Sequence, residues 1–137
     1  MLCDARLYRL STFKVNIMAK DKKTLHLVLK RKWWDMIASG EKKEEYREIC
    51  FHWAVRLLCK TYRYNLDYFL KHHIALVGVI PFKDFRNVCF HLGYTNTTMT
   101  YTVKDILVRR GRKEWGAEPN KEYFVISLGE RVDNGKD

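Results

Sequence analysis

The stretch TLHLVLK sets Leu25, Leu27 and Leu29 against His26, Val28 and Lys30. That period-two alternation predicts a strand with one buried face, the first core element of the chain. From Trp33 the spacing changes: Trp33, Met36 and Ile37 recur at helical intervals and Gly40 follows, a residue able to take positive φ and close a helix. Between Ile49 and Cys59, Phe51, Ala54, Val55 and Leu58 fall at i, i+3, i+4 and i+7, with Trp53 and Leu57 widening the face. A second helix is expected there. Residues 60–73 interleave Tyr62, Tyr64, Tyr68 and Phe69 with Lys60, Arg63, Lys71, His72 and His73. The mixture suits single-stranded nucleic acid, whose bases stack on aromatics, but an amphipathic helix with a wet edge is the leading reading, since a tyrosine needs no ligand to sit at a surface boundary. The last half reads as strands over Val88 to Leu92, Thr98 to Val108 and Glu122 to Leu128. Between the last two runs RRGRKEWGAEPNKE, residues 109–122, is expected to be a basic loop. Strands after a helical middle, without βαβ alternation, indicate an α+β fold with a mostly antiparallel sheet or small β-barrel.

Immediately after Gly40's helix lies SGEKKEEYRE, in which seven of ten side chains are charged. A helix stopped at Gly40 cannot carry a solvated face through Glu48, so Lys42 to Glu48 is a loop or a returning strand. A regular strand places Lys43, Glu45 and Arg47 on one face and Lys42, Glu44, Tyr46 and Glu48 on the other. A turn before Glu45 frees Lys42 to join Glu45 and Arg47. Two cations and a carboxylate so grouped can hold a phosphate, polarise a carbonyl or move a proton. The competing reading is a solvated charge run, since exposed ion pairs contribute little.

The chain has 137 residues, enough for one domain, and its 26 Lys plus Arg against 16 Asp plus Glu give a formal charge of +10. Such an excess raises the local concentration of polyanions, of which nucleic acid is the commonest. Met18 opens a stretch resembling a natural start, so residues 1–17 are expected to be an extension, residues 18–130 the domain and 131–137 a polar tail. Cys3, Cys50, Cys59 and Cys89 show no CxxC spacing and follow no secretory signal. Reduced thiols, no disulfide partner and a cytoplasmic location are the expectation. Cys50, His52 and Cys59 have the wrong spacing for a zinc ladder, and neither metal nor cofactor is expected. The longest apolar run, Ile74 to Pro81, falls far short of the roughly 20 residues that span a bilayer, so no membrane partner is expected.

Gly40, Lys42, Glu45 and Arg47 match the G-x-K-x-x-E-x-R signature of the ASCH domain, a branch of the PUA-like superfamily, and they follow a strand and short helix as in that family. LHLVLKRKWWDMIASGEKKEEYRE resembles the opening of an ASCH domain, and EWGAEPNKEYFVISLG the closing loop and last strand of its bacterial and phage members. The resemblance covers roughly Lys23 to Gly129, with about 51–80 as a helical insertion. It implies a PUA-like small β-barrel with short helices packed around it and a cleft near the signature. Members are thought to act on RNA or nucleotides, as binding modules, ribonucleases or amidohydrolases. The amidohydrolase branch carries a threonine nucleophile three positions after the signature lysine; here that position is Glu45, which cannot form the same ester. The leading expectation is RNA or nucleotide binding through Lys42, Glu45, Tyr46, Arg47 and Trp115, with Arg109, Arg110, Arg112 and Lys113 on the nucleic-acid backbone. A hydrolase using Lys42 and Glu45 catalytically is the alternative, and a protein-interaction domain the third reading.

Overall fold

Leu25, Leu27 and Leu29 are buried in strand β1 (Thr24–Leu29), while His26 and Val28 point outward. Burying a leucine contributes about 1.5–3 kcal/mol, so this alternation fixes which face of the strand meets the core. A computed structural model of the chain describes residues 23–59 and 82–133. The proposed extension at 1–17, the aromatic and basic segment at 60–73, most of the expected insertion and the end of the tail lie outside the described residues.

Helix α1 (Arg31–Ala38) stops where Gly40 takes φ 86°. Gly40 N–H donates to Ile37 O at 3.0 Å and Lys42 N–H to Met36 O at 2.9 Å, so the last turn's carbonyls are satisfied as the chain reverses. The buried positions of α1 are Trp34 and Ile37, and Trp33 is only half-buried. Trp34, which the predicted stripe of Trp33, Met36 and Ile37 left out, is the tryptophan that enters the core, while Trp33 packs against its edge. Strand β2 (Glu44–Glu48) follows, then helix α2 (Phe51–Leu57). Ala54, Leu57 and Leu58 pack inward, but Phe51 is exposed rather than a core position.

Strands β3 (Asn87–Leu92), β4 (Thr98–Arg110) and β5 (Glu122–Arg131) complete a five-stranded sheet in the order β1-β3-β4-β5-β2. Three pairings are antiparallel; β1 and β3 run parallel, making the sheet mixed. Parallel neighbours need a long crossover, and the chain from α1 through α2 supplies it. In β4 the register shifts between Tyr101 and Val103 and again between Val103 and Asp105, irregularities that bend a strand and increase its twist. The sheet curls far enough for its two edges to meet: Arg47 Nη2 on β2 donates to Val28 O on β1 at 3.1 Å. The result is a small α+β fold built on a half-barrel, with Phe90, Met99, Phe124 and Ile126 filling its inside against β1, Trp34, Ile37 and Leu57. Among the described residues no helix is long and apolar enough to cross a membrane.

Candidate functional site

Where the sheet edges converge, a cleft of about 260 Å³ opens between Val28, Leu29 and Lys30 of the β1 end, Trp33 of α1, Glu45, Tyr46 and Arg47 of β2, and Trp115 with Gly116. Its charged wall, Glu45 and Arg47, belongs to a triad completed by Lys42 behind it. Lys42 Nζ donates to Glu45 Oε1 at 2.6 Å and to Glu44 O at 2.5 Å, and Arg47 Nη2 donates to Glu45 Oε2 at 2.9 Å. The turn between Gly40 and β2 takes Lys42 out of the strand alternation, which is how it shares a carboxylate with a residue three positions on.

The exposures divide the labour. The Lys42 side chain is 1% exposed and Glu45 8%, whereas Arg47 reaches 17%. Lys42 is absent from the cleft wall: it sits behind Glu45, its ammonium 5.6 Å from the Trp33 ring centre and 5.1 Å from that of Tyr46. Burial holds the Lys42 amine below the ordinary lysine range, against the opposing pull of Glu45. It holds Glu45 from behind and does not itself reach the cleft lining. Glu45 accepts a third hydrogen bond from Tyr46 N–H at 3.1 Å, so Oε1 is filled and Oε2 keeps one free lone pair. Arg47 stacks on Trp53 with its guanidinium carbon 4.9 Å from the ring centre, and its Nε is buried without a hydrogen-bond partner. An unmet buried donor costs about 1–3 kcal/mol; Nε is closed to solvent, so it is a cost to the fold and not a contact open to a ligand. Arg56 lies 4.8 Å from the same Trp53 ring; burial first and the nearby Arg47 second lower its pKa.

A second network closes the far side of β2. Tyr46 Oη donates to Glu44 Oε1 at 2.8 Å and accepts from Arg112 N–H at 2.9 Å, and burial is the main cause that raises its pKa. Arg109 forms an ion pair with Glu44. Burial would push the Glu44 carboxyl up, but the hydrogen bonds from Arg109 and Tyr46 outweigh it and hold it below the usual carboxylate range. Gly111 is required where it stands, since a Cβ there would lie 2.7 Å from Ala117 Cβ and from the Tyr46 ring. Gly116, at φ 102°, brings its backbone against Trp33. These two contacts dock the turn of 3₁₀ helix at Lys113–Trp115 onto β2 and α1, setting Trp115 beside the cleft.

The structure therefore brings Glu45, Tyr46, Arg47 and Trp115 to one cleft and places Lys42 behind it. Of the four cations expected on a nucleic-acid backbone, Arg109 and Arg110 belong to β4 rather than a loop, and Arg109 is engaged by Glu44. Arg112 and Lys113 are exposed in the connection, with Arg112 4.6 Å over the Trp115 ring and paired to Glu114 at 3.3 Å. Sequence reasoning missed Trp33 as a cleft wall and Trp53 as the platform under Arg47. The tryptophan doublet was the available signal for Trp33, because only one of the two could be core. No protein-family model, curated protein or solved structure matches the chain.

Proposed function

We propose that the chain is an ASCH-type, PUA-like domain that binds RNA or a nucleotide in the cleft between Trp33, Trp115 and the Glu45–Arg47 pair. One observation carries the reading: the Arg47 guanidinium and a Glu45 carboxylate with a free lone pair stand side by side on the wall of a cleft that two tryptophan rings also line. A base stacked on an aromatic ring is worth about 1–3 kcal/mol. Arg47 offers its charge to a phosphate or a base carbonyl, and Glu45 Oε2 accepts from an exocyclic amine or a ribose hydroxyl. The formal charge of +10 supports the same polyanionic partner.

The hydrolase reading asks Glu45 to act as a base, yet both its oxygens are already engaged by Lys42, Tyr46 N–H and Arg47. That arrangement favours a fixed acceptor over a proton carrier. Titration of the protein with a short single-stranded RNA and with the four nucleoside monophosphates, followed by tryptophan fluorescence, tests the proposal. Saturable quenching is expected, weakened about tenfold or more in Arg47→Ala because a charged hydrogen bond contributes about 1.5–3 kcal/mol. No saturable quenching, or equal affinity in Arg47→Ala and the parent, would refute it. RNA cleavage in the same samples that disappears in Glu45→Gln would transfer the site to the hydrolase reading.

A further inference from the structure

Away from the cleft, the outward faces of β1 and β3 carry three side chains with metal-ligating atoms. The parallel register pairs His26 with Cys89 and Val28 with His91. Because Leu25, Leu27, Val88 and Phe90 fill the core, the alternation turns His26, Cys89 and His91 together to the opposite face. His26 Nδ1 and His91 Nε2 are 3.0 Å apart, and with Cys89 Sγ the three donor atoms all lie within 4.8 Å of one another. The rings are tilted by 45° at 5.2 Å between centres, so their nitrogens face each other edgewise without stacking.

We propose that His26, Cys89 and His91 bind a divalent transition metal of the zinc class. Tetrahedral zinc, with Zn–N near 2.0–2.1 Å and Zn–S near 2.3 Å, needs donors separated by about 3.3 Å for N to N and about 3.6 Å for N to S. The imidazole nitrogens already stand within a few tenths of an ångström of that spacing. The sulfur, within 4.8 Å of both nitrogens, needs an approach of at most about 1.2 Å to reach that spacing, within the reach of small side-chain rotations. Two facing imidazole nitrogens at hydrogen-bond distance share one proton between them; when the metal takes a lone pair from each, that proton moves to the other nitrogen of its own ring, so both imidazoles stay neutral, and the Cys89 thiol proton leaves to solvent as the thiolate forms. Two imidazoles and a thiolate select zinc, cobalt or copper over magnesium or calcium. Three protein ligands leave a fourth position for water or a further donor. In β4, Thr100 stands opposite Cys89 and Thr98 opposite His91, adding hydroxyls on the neighbouring strand.

The competing explanation is an ordinary cross-strand histidine hydrogen bond, and cobalt distinguishes the two. Titration of the full reduced chain with Co²⁺ is expected to give a saturable signal with a thiolate-to-metal charge-transfer band in the near ultraviolet, displaced by Zn²⁺. Cys89→Ser should abolish the band, His26→Ala and His91→Ala should each weaken binding by about tenfold or more, and Cys50→Ser should leave it intact. A measurement on the parent protein needs no variant to fold: saturating Zn²⁺ should slow alkylation of Cys89, mapped by mass spectrometry, while Cys50 reacts as before. Alkylation of Cys89 at the same rate with and without Zn²⁺, or a cobalt band that survives in Cys89→Ser, would overturn the assignment.

Discussion

Replacing Lys42 with methionine keeps a straight side chain of similar length and removes the ammonium. In the folded protein that ammonium is the partner of Glu45 Oε1 at 2.6 Å and of Glu44 O at 2.5 Å, on a side chain only 1% exposed. The change leaves a buried carboxylate with fewer partners and strands a backbone carbonyl. Breaking a buried pair from one side costs about 3–5 kcal/mol, whereas an exposed pair contributes about 0.2–1 kcal/mol, so the two descriptions of Lys42 differ by a readable margin. Urea unfolding should show a midpoint lower by roughly 2 M at unchanged slope. The double variant Lys42→Met with Glu45→Gln removes both charges and should recover part of that loss, a coupling of about 0.5–3 kcal/mol. A pH signature accompanies it. Burial holds the folded-state pKa of Lys42 below 10.5, so the folded protein releases this proton before the unfolded chain does. Stability from this group therefore rises with pH up to 10.5, and the rise should be missing in Lys42→Met. A midpoint shift worth less than about 1 kcal/mol would refute the reasoning, because it would place Lys42 in solvent.

Three further expectations follow from the surroundings of β2. Gly111→Ala should destabilise the protein by about 1–3 kcal/mol in the same urea assay, since Tyr46, anchored at its hydroxyl, cannot retreat from the new methyl. The folded-state pKa of Glu44 is lowered, so its contribution is complete above 4.5 and fades as pH falls below that value; Glu44→Gln should flatten this part of the acid-unfolding profile. Alanine at Arg110, Arg112 and Lys113 together should flatten the salt dependence of RNA affinity by up to about 2 in the log–log slope, at roughly 0.7 per phosphate released, without unfolding the sheet. Arg109 is left out because its removal would strand Glu44.

The sequence made local features legible and left distant pairings obscure. The leucine alternation of β1 and the glycine stop at Gly40 depend on neighbours a few residues away, and both are present in the structure. The position of Lys42 beside Glu45 follows from the same turn. Its burial does not: that depends on Trp33 and Tyr46 closing over the ammonium, contacts no spacing rule reports. Arg109 and Arg110 read as loop because cations and glycine surround them. Pairing with Tyr123 and Glu122, twelve or more residues away, extends β4 through them instead. The contact from Arg47 to Val28 O, which shows the sheet edges meeting, links residues 19 apart and follows from the curl of the whole sheet.

The chain has four tryptophans, and their indole N–H signals give the most direct test of the cleft. Trp33 and Trp115 line it, whereas Trp34 is buried in the core and serves as an internal control. Two-dimensional ¹H–¹⁵N NMR of the full chain titrated with a nucleoside monophosphate or a short single-stranded RNA should shift the Trp33 and Trp115 indole signals together and leave Trp34 in place. Absence of any shift at Trp33 and Trp115 up to millimolar nucleotide and saturating RNA would contradict binding in this cleft.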